Sequence, residues 1–342
     1  MKRVVLTLTS QRVYVSLIKD IKENIVAKKQ IILSKIARIS WSIVRAVLVI
    51  GICFIILQPW ISKFCISIMD ERDIYDITVR YVPKHFTLNN YKMAWEGMEY
   101  PRALFNSLKL SLMCGILQLI SCTIIAYGFA RFNFPFKNFI FGLVILTLLV
   151  PHQTIMIPLF LHFRFFDVFG IVSLIKGESI SLLDSYWPFI LMSMTGMGLR
   201  NGLYIYVLRQ HFRGMPKDLE DAAYVDGSGF FRTFLTIMLP SAVPMMVTVF
   251  LFSFVWQWTD TFYTTLFLRE LKVLPNALSS LAQNLSAQYF DTGLGQMNFI
   301  SPGFYSLINN TGSILVILPL LLVYLFGQKY FVQSIERSGL VG

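Results

Sequence analysis

Negative charge and reactive side chains are what this sequence has least of. Its 342 residues include 19 Asp and Glu against 30 Lys and Arg, a formal charge of +11 at pH 7 with histidine neutral. His85, His152, His162 and His211 are scattered, and no H-E-x-x-H or carboxylate group at ligand spacing accompanies them, so no metal site is expected. No glycine is followed directly by lysine, which removes the G-x-x-x-x-G-K-[ST] loop that cradles nucleotide phosphates. A G-x-S-x-G nucleophile elbow is missing as well. Cys53, Cys65, Cys114 and Cys122 lie in or beside apolar segments with no C-x-x-C pair, and read as small apolar residues, not as a disulfide or zinc framework. No catalytic residue, metal ligand or cofactor is assigned to this chain, and it is not read as an enzyme.

Apolar residues are abundant instead. At 55% hydrophobic and 15% aromatic, with a mean hydropathy of +0.61, the chain has too much greasy surface for a soluble core of its size. It is predicted to be an all-α polytopic membrane protein. The basic residues gather in segments beside apolar runs, which points to membrane orientation and away from nucleic acid. Residues 1–45 carry a strong Lys and Arg excess against Asp20 and Glu23 and are predicted to stay in the cytoplasm. Within them Ile18, Ile21, Ile25, Ile32 and Ile36 recur at near-helical spacing, as in a helix lying on membrane lipid, although a solvated basic helix fits equally. The tail is too long for the n-region of a cleaved signal and no small-residue cleavage site follows, so the first apolar run reads as a retained anchor.

Six spans are expected, at about 46–67, 104–129, 138–162, 186–208, 243–266 and 312–331, with both termini inside. Pro151 and Pro158 should kink the third, and Gly196, Gly198 and Gly202 should let the fourth approach a neighbour closely. Arg269 to about Asn310 reads as a long outer loop.

One polar stretch, Leu219 to Pro240, interrupts the apolar second half. Pro216 precedes Asp218, Glu220 and Asp221, which stand where a first helical turn stabilises negative charge. Gly227 follows Asp226 as a turn glycine able to take positive φ. Apolar spacing resumes over 230–239, so the expectation is helix, turn, helix, closed by Pro240. Small Ala222 and Ala223 would let the first helix sink into a groove on a partner. An ordinary amphipathic helix-turn-helix is the competing reading. Farther on, Trp256, Gln257, Trp258, Asp260 and Tyr263 place aromatic faces and hydrogen-bonding groups near one end of the fifth span, the two kinds of group that hold sugars. Trp and Tyr also favour the membrane interface for its own sake.

The pattern E-x-A-A-x-x-x-G followed by I-x-L-P, carried by Glu220, Ala222, Ala223, Gly227, Ile237, Leu239 and Pro240, resembles the cytoplasmic EAA coupling loop of ABC importer permeases. Ala126-Tyr127-Gly128-Phe129-Ala130-Arg131-Phe132 with Phe134-Pro135 resembles the same family, as do Phe86-Thr87-Leu88-Asn89-Asn90-Tyr91, Phe105-Asn106-Ser107-Leu108 and Leu274-Pro275. The likeness is to the maltose-permease type of carbohydrate importer and covers residues 86–342. One departure is Thr259, which stands between Trp258 and Asp260 where the family often shows asparagine.

The resemblance implies a type I ABC importer permease fold in a bacterial cell membrane. It divides the chain into a basic tail (1–45), a first transmembrane helix with an outer loop (46–103), a core (104–333) containing the coupling loop 209–242, and a C-terminal tail (334–342). It also implies a second homologous permease, two nucleotide-binding ATPase subunits that hold ATP and magnesium, and an extracytoplasmic solute-binding protein. On it, Glu220, Ala222, Ala223, Asp226, Gly227, Leu239 and Pro240 form the ATPase-coupling set, with Glu220 in a charge-assisted contact to a basic residue of the ATPase. Trp256, Gln257, Trp258, Asp260 and Tyr263 belong to the solute path. The implied work is import of a sugar or oligosaccharide. A peptide, polyamine or amino acid carried by the same architecture is one alternative; an ion-coupled secondary transporter, which would place ionisable groups within its spans, is another.

Overall fold

The computed structural model describes residues 2–168, 170–291 and 301–339, with side chains over 35–287 (apart from 169) and 301–328. Among the described residues the chain is helical, with two isolated β-bridges, Met69 to Phe86 and Phe166 to Ile180. It divides into two compact units, Met1–Lys63 and Phe64–Gly342.

The first unit is a single helix. Helix α1, Lys2–Ser67, runs without interruption through the expected border at 45/46, and its apolar part, Lys35–Ser67, is long enough to cross a membrane. Ile50, Ile55 and Ile56 stand exposed along it, as a helix facing lipid or a partner requires. Within it Gln58 Nε2 donates to Ser62 Oγ at 3.2 Å.

The second unit opens with α2, Glu71–Ile74, capped by the Asp70 carboxylate, which accepts the Arg72 N–H. Helix α3, Asn89–Gly97, is tied back by the Asn90 amide, which donates to the carbonyls of Ser67 and Met69. Helix α4, Tyr100–Arg131, is the axis of the unit. Ala103, Ser107, Ser111, Cys114, Gly115, Cys122 and Ala126 are buried along it. Residues this small let neighbouring backbones come close where lipid offers no hydrophobic drive to association.

Two of the expected spans are broken. Helix α5, Lys137–Leu149, is followed by a 3-10 turn, His152–Ile155, and α6, Met156–Arg164, and the chain bends by 99° between them. Pro151 sits at this break, so the kink predicted for the third span is a corner. After α7, Ile171–Lys176, the expected fourth span is split into α8, Trp187–Met194, and α9, Asn201–Gly214. Gly196 takes φ +74° and Arg200 φ 62°, left-handed conformations that no continuous helix contains.

The second half departs from expectation in a different way. Helix α10, Asp218–Val225, and a turn at Gly227 appear as predicted, but α11, Phe230–Thr233, is already the start of the next span. A π-helical turn, Phe234–Met238, links it to α12, Leu239–Trp258, and Pro240 falls inside the run instead of ending it. Proline lacks an N–H, and the wide turn before it accommodates the missing donor. Helix α13, Phe262–Phe267, follows, and the expected outer loop holds α14, Leu274–Asp291. Helix α15, Pro302–Gly339, begins ten residues before the predicted sixth span and continues through the border at 333/334. Among the described residues four helices are long and apolar enough to cross a membrane, or five if the bent pair counts as one, against the six expected.

Three apolar clusters hold the second unit together. Met98, Phe254, Trp258, Leu281 and Leu307 join α3, α12, α14 and α15. Tyr127, Tyr204, Leu208, Phe212 and Met238 pack at the C-terminal end of α4. Leu110, Phe163, Phe189 and Phe267 form the third near its other end.

Candidate functional site

Two polar arrangements stand out against these apolar clusters. One lies at the C-terminal end of α4, where α10 docks. The Glu220 residue is only 7% exposed. Its Oε1 accepts the Tyr127 hydroxyl at 2.7 Å and its Oε2 lies 3.2 Å from Arg131 Nε. Arg131 Nη2 in turn donates to the Met215 carbonyl at 3.0 Å. Tyr127 and Arg131 are four residues apart and so share one face of α4. The rings of Phe212, Phe230 and Phe234 surround Tyr127 at centroid distances of 5.3, 5.7 and 4.6 Å, which excludes water from the joint.

This geometry gives Glu220 partners inside its own chain. Its carboxylate is spent within its own chain, because a buried Arg131 requires a counter-charge more than Leu219 requires burial, and Leu219 is left half-exposed. Ala223 is buried beneath the helix, while Ala222 faces outward, so the two alanines serve opposite faces. Asp221, Tyr224, Val225 and Asp226 are exposed on the outer side, Val225 by 88%. Gly227 closes the helix at φ +80° with open space around it. The Gly227 N–H donates to Tyr224 O, and Ser228 N–H donates to Ala223 O. Leu239 is partly buried and Pro240 exposed, both within the continuous α11–α12 run.

The other arrangement is a cavity of about 270 Å3 between the two broken helices. His152 comes from the corner after α5; Gly198, Arg200 and Asn201 come from the break before α9; Tyr263 comes from α13. The Arg200 guanidinium lies over the Trp256 ring, 4.5 Å from its centroid. No carboxylate among the described residues lies within ion-pairing distance of it. Tyr263 Oη and His152 Nδ1 are 3.1 Å apart. Asn201 is 2% exposed, and neither its amide nitrogen nor its oxygen has a partner among the described residues. Irregular backbone and open polar groups at such a place are tolerated where they line a water-filled or ligand-filled space.

Glycine makes the cavity possible. A Cβ at Gly202 would sit 2.6 Å from Thr147 Oγ1 and 2.9 Å from the Val144 carbonyl, so α9 lies directly against α5. Gly198 would meet Gln118 Nε2 at 2.6 Å. The close approach predicted for the three glycines is present at each, since a Cβ at Gly196 would meet Ile125 Cδ1 at 2.7 Å, and Gly196 also makes the turn.

Of the five residues assigned to the solute path, Tyr263 lines the cavity and Trp256 reaches it through Arg200. The fold uses Trp258 and Asp260. The Trp258 ring is 2% exposed and its Nε1 donates to the Val316 carbonyl at 3.1 Å. Asp260 caps α13, accepting the N–H groups of Phe262, Tyr263 and Thr264. Gln257 is buried, and its Nε2 has no partner among the described residues. Sequence reasoning passed over His152, Arg200 and Asn201 here, and Tyr127 and Arg131 at the joint. The basic-polar pair Arg200-Asn201 set among Gly196, Gly198 and Gly202 was the signal for the cavity, and the i, i+4 pairing of Tyr127 with Arg131 was the signal for the joint.

A family model described as "Binding-protein-dependent transport system inner membrane component" matches residues 120–337. A probable ABC transporter permease protein of Pyrococcus horikoshii is 29% identical over 309 residues, covering 89% of this chain and 94% of the relative. The arabinooligosaccharides transport system permease protein AraQ of Bacillus subtilis is 30% identical over 263 residues, covering 76% and 81%. The trehalose transport system permease protein SugB of Mycobacterium tuberculosis is 25% identical over 286 residues, covering 84% and 93%. Among solved structures, a bacterial ABC transporter involved in the import of the acidic polysaccharide alginate contains a chain that superposes with a TM-score of 0.61. It is 22% identical, over 85% of this chain and 96% of that one, and shares the fold.

Proposed function

Since the chain belongs to the family of binding-protein-dependent transport system inner membrane components, we propose that it lines the path of a sugar or oligosaccharide through the membrane together with a second permease subunit. It is a multi-pass membrane protein with the type I ABC permease fold. In the proposed topology α1, α4, the bent α5–α6 pair, the broken α8–α9 pair, α11–α12 and α15 make six crossings, with both termini in the cytoplasm. An extracytoplasmic binding protein delivers the solute, and two separate subunits bind ATP and magnesium.

The observation that carries this reading is the two-sided character of α10. Its inner side is fixed to α4 by a buried ion pair, and its outer side presents Asp221, Tyr224, Val225 and Asp226 unpacked. A helix so arranged transmits force. An ATPase that grips the outer side and moves must drag Arg131 and Tyr127 with it, hence α4, against which α9 and α12 pack. Motion of α9 against α4 changes the walls of the cavity at Arg200 and Asn201. In this scheme Asp221, not Glu220, meets a basic group of the ATPase, with Val225 filling an apolar recess beside it.

Sugar as the cargo is supported by the names of relatives such as AraQ and SugB and by the cavity chemistry. Tyr263 brings an aromatic ring to the cavity wall, and Asn201 offers an unused donor and acceptor. The test is to purify the assembled transporter from its native membrane with its binding protein and identify the bound solute. A saccharide is the expected result; a bound peptide, polyamine or amino acid sinks the carbohydrate reading. In the same preparation Asp221→Arg should reduce recovery of the ATPase subunits, and full recovery would remove α10 as the grip.

A further inference from the structure

A second cavity, of about 700 Å3, opens beside the coupling joint and takes no part in the scheme above. Its floor is basic. Lys137 from the start of α5, Arg209 and Arg213 from the end of α9, and Lys217 before α10 all line it, and no acidic residue does. None of the four forms an ion pair among the described residues. Arg131, which also lines it, is already neutralised by Glu220. Arg209 is 7% exposed, its guanidinium lies 3.8 Å from the Phe141 ring centroid, and its Nε has no hydrogen-bond partner among the described residues. Arg213 and Lys217 are exposed and the Lys137 Nζ donates to the Phe132 carbonyl at 2.6 Å, so it is the buried Arg209, with its open donor, that most favours an anion among these like charges.

The rim is of the opposite character. Phe134, Phe136 and Phe139 line the same cavity, and Phe136 and Phe139 are among the more exposed aromatic rings of the chain, Phe136 by 78%. Phe136 holds φ at 59°, a left-handed conformation that a bulky residue adopts at a cost of roughly 1–3 kcal/mol. That strained turn sets its ring outward at the mouth, where the apolar α5 begins. A basic floor for a phosphate and an aromatic rim at the edge of an apolar helix match the two halves of one molecule.

We infer that this cavity binds the phosphate of an anionic membrane glycerophospholipid, held between Arg209, Arg213, Lys137 and Lys217, with its acyl chains leaving over Phe136 and Phe139. Arg209 supplies the fixed contact because its guanidinium is already oriented by Phe141. The other three add charge from flexible stems. Inorganic phosphate shares the anion chemistry but gains nothing from the aromatic rim. The bound lipid fills the gap between the ends of α4, α5 and α9 and stiffens the joint through which α10 acts. Placement in the cytoplasmic leaflet rests on the topology proposed above; the lipid site itself does not.

Native mass spectrometry of the whole transporter in mild detergent tests this, with phosphatidylglycerol, phosphatidylcholine or inorganic phosphate added. Phosphatidylglycerol should be retained over phosphatidylcholine, and K137Q/R213Q should lower its retention roughly tenfold to thirtyfold, as the loss of two surface cations predicts. Phe136→Gly relieves the left-handed strain and keeps every charge, so it folds at least as well as the parent, yet it should weaken lipid retention. Equal retention of both lipids, or retention unchanged in K137Q/R213Q and in Phe136→Gly, overturns the inference. Displacement of the lipid by millimolar inorganic phosphate shows a small-anion site and overturns it too. Loss of the ATPase subunits from K137Q/R213Q with lipid retention intact assigns the cluster to a protein contact instead.

Discussion

The joint between α10 and α4 and the cavity between the broken helices are both polar, yet they treat their polar groups in opposite ways. At the joint the charged groups meet each other: Glu220 has Tyr127 and Arg131, and Arg131 has the Met215 carbonyl as well, although its Nε faces Glu220 at 3.2 Å without a hydrogen bond. In the cavity Asn201 is buried with both ends open, and Arg200 has an aromatic face but no carboxylate. On the proposed roles, the joint transmits motion and is tied by an ion pair and a hydrogen bond, whereas the cavity receives the solute and keeps donors and acceptors in reserve, whose unmade hydrogen bonds are a standing cost to the fold.

Substitutions at the two places should therefore differ in kind. Glu220→Ala strips a buried Arg131 of its counter-charge and should cost about 3–5 kcal/mol, read as a lower thermal midpoint of the purified complex and loss of coupled ATP hydrolysis. An unchanged midpoint would mean that the pair is not buried in the assembled transporter. Gly227→Asp forces a side chain into the φ +80° turn at a cost of roughly 1 kcal/mol. Membrane insertion should survive while ATPase attachment and transport fall, and normal coupling in that variant would count heavily against α10 as the lever.

The cavity should behave in reverse. Asn201→Leu removes an unpartnered buried amide, so stability should hold or rise while transport drops by roughly the tenfold that a hydrogen bond to solute is worth. A fall in both together would make Asn201 an ordinary core residue. The smallest effect belongs to an exposed pair that marks neither site. Glu99 is paired with Lys272 at 2.6 Å, and that contact holds its carboxyl below the usual range. Its contribution is present above the ordinary glutamate pKa and is lost as pH falls through the lowered one. At 45% and 38% exposure, Lys272→Met should cost at most about 0.5 kcal/mol and flatten that acid-side loss in thermal melts at graded pH.

Long apolar runs were legible because a membrane helix announces itself by composition, and α1, α4, α12 and α15 stand close to where hydropathy puts them. Gly227 and the acidic first turn of α10 were equally clear, since local backbone chemistry decides them. The breaks were harder to read. Gly196 and Gly198 look alike in sequence and both make room for side chains of α4, Ile125 and Gln118, but only Gly196 also takes positive φ and ends a helix, which depends on neighbours far along the chain. The inward turn of Glu220 was hidden for the same reason. Its partners lie 93 and 89 residues away, and only packing shows that they share its side. The six-span count treated α8 and α9 as one rod, because an apolar window cannot register that two short helices carry it.

The π-helical turn at Phe234–Met238 gives the span after the coupling stretch one residue more than its rise requires. Such a surplus can migrate: passing it one position along the backbone rotates the residue it crosses by roughly 100° and leaves both ends of the helix where they were. Phe230 and Phe234 pack on Tyr127 from one side of that surplus, while Ala242 and Val249 pack in the core from the other. On the proposed scheme this surplus lies between the grip at α10 and the cavity, where it would turn a push on α10 into a twist of α11 without lengthening or unwinding the span that follows.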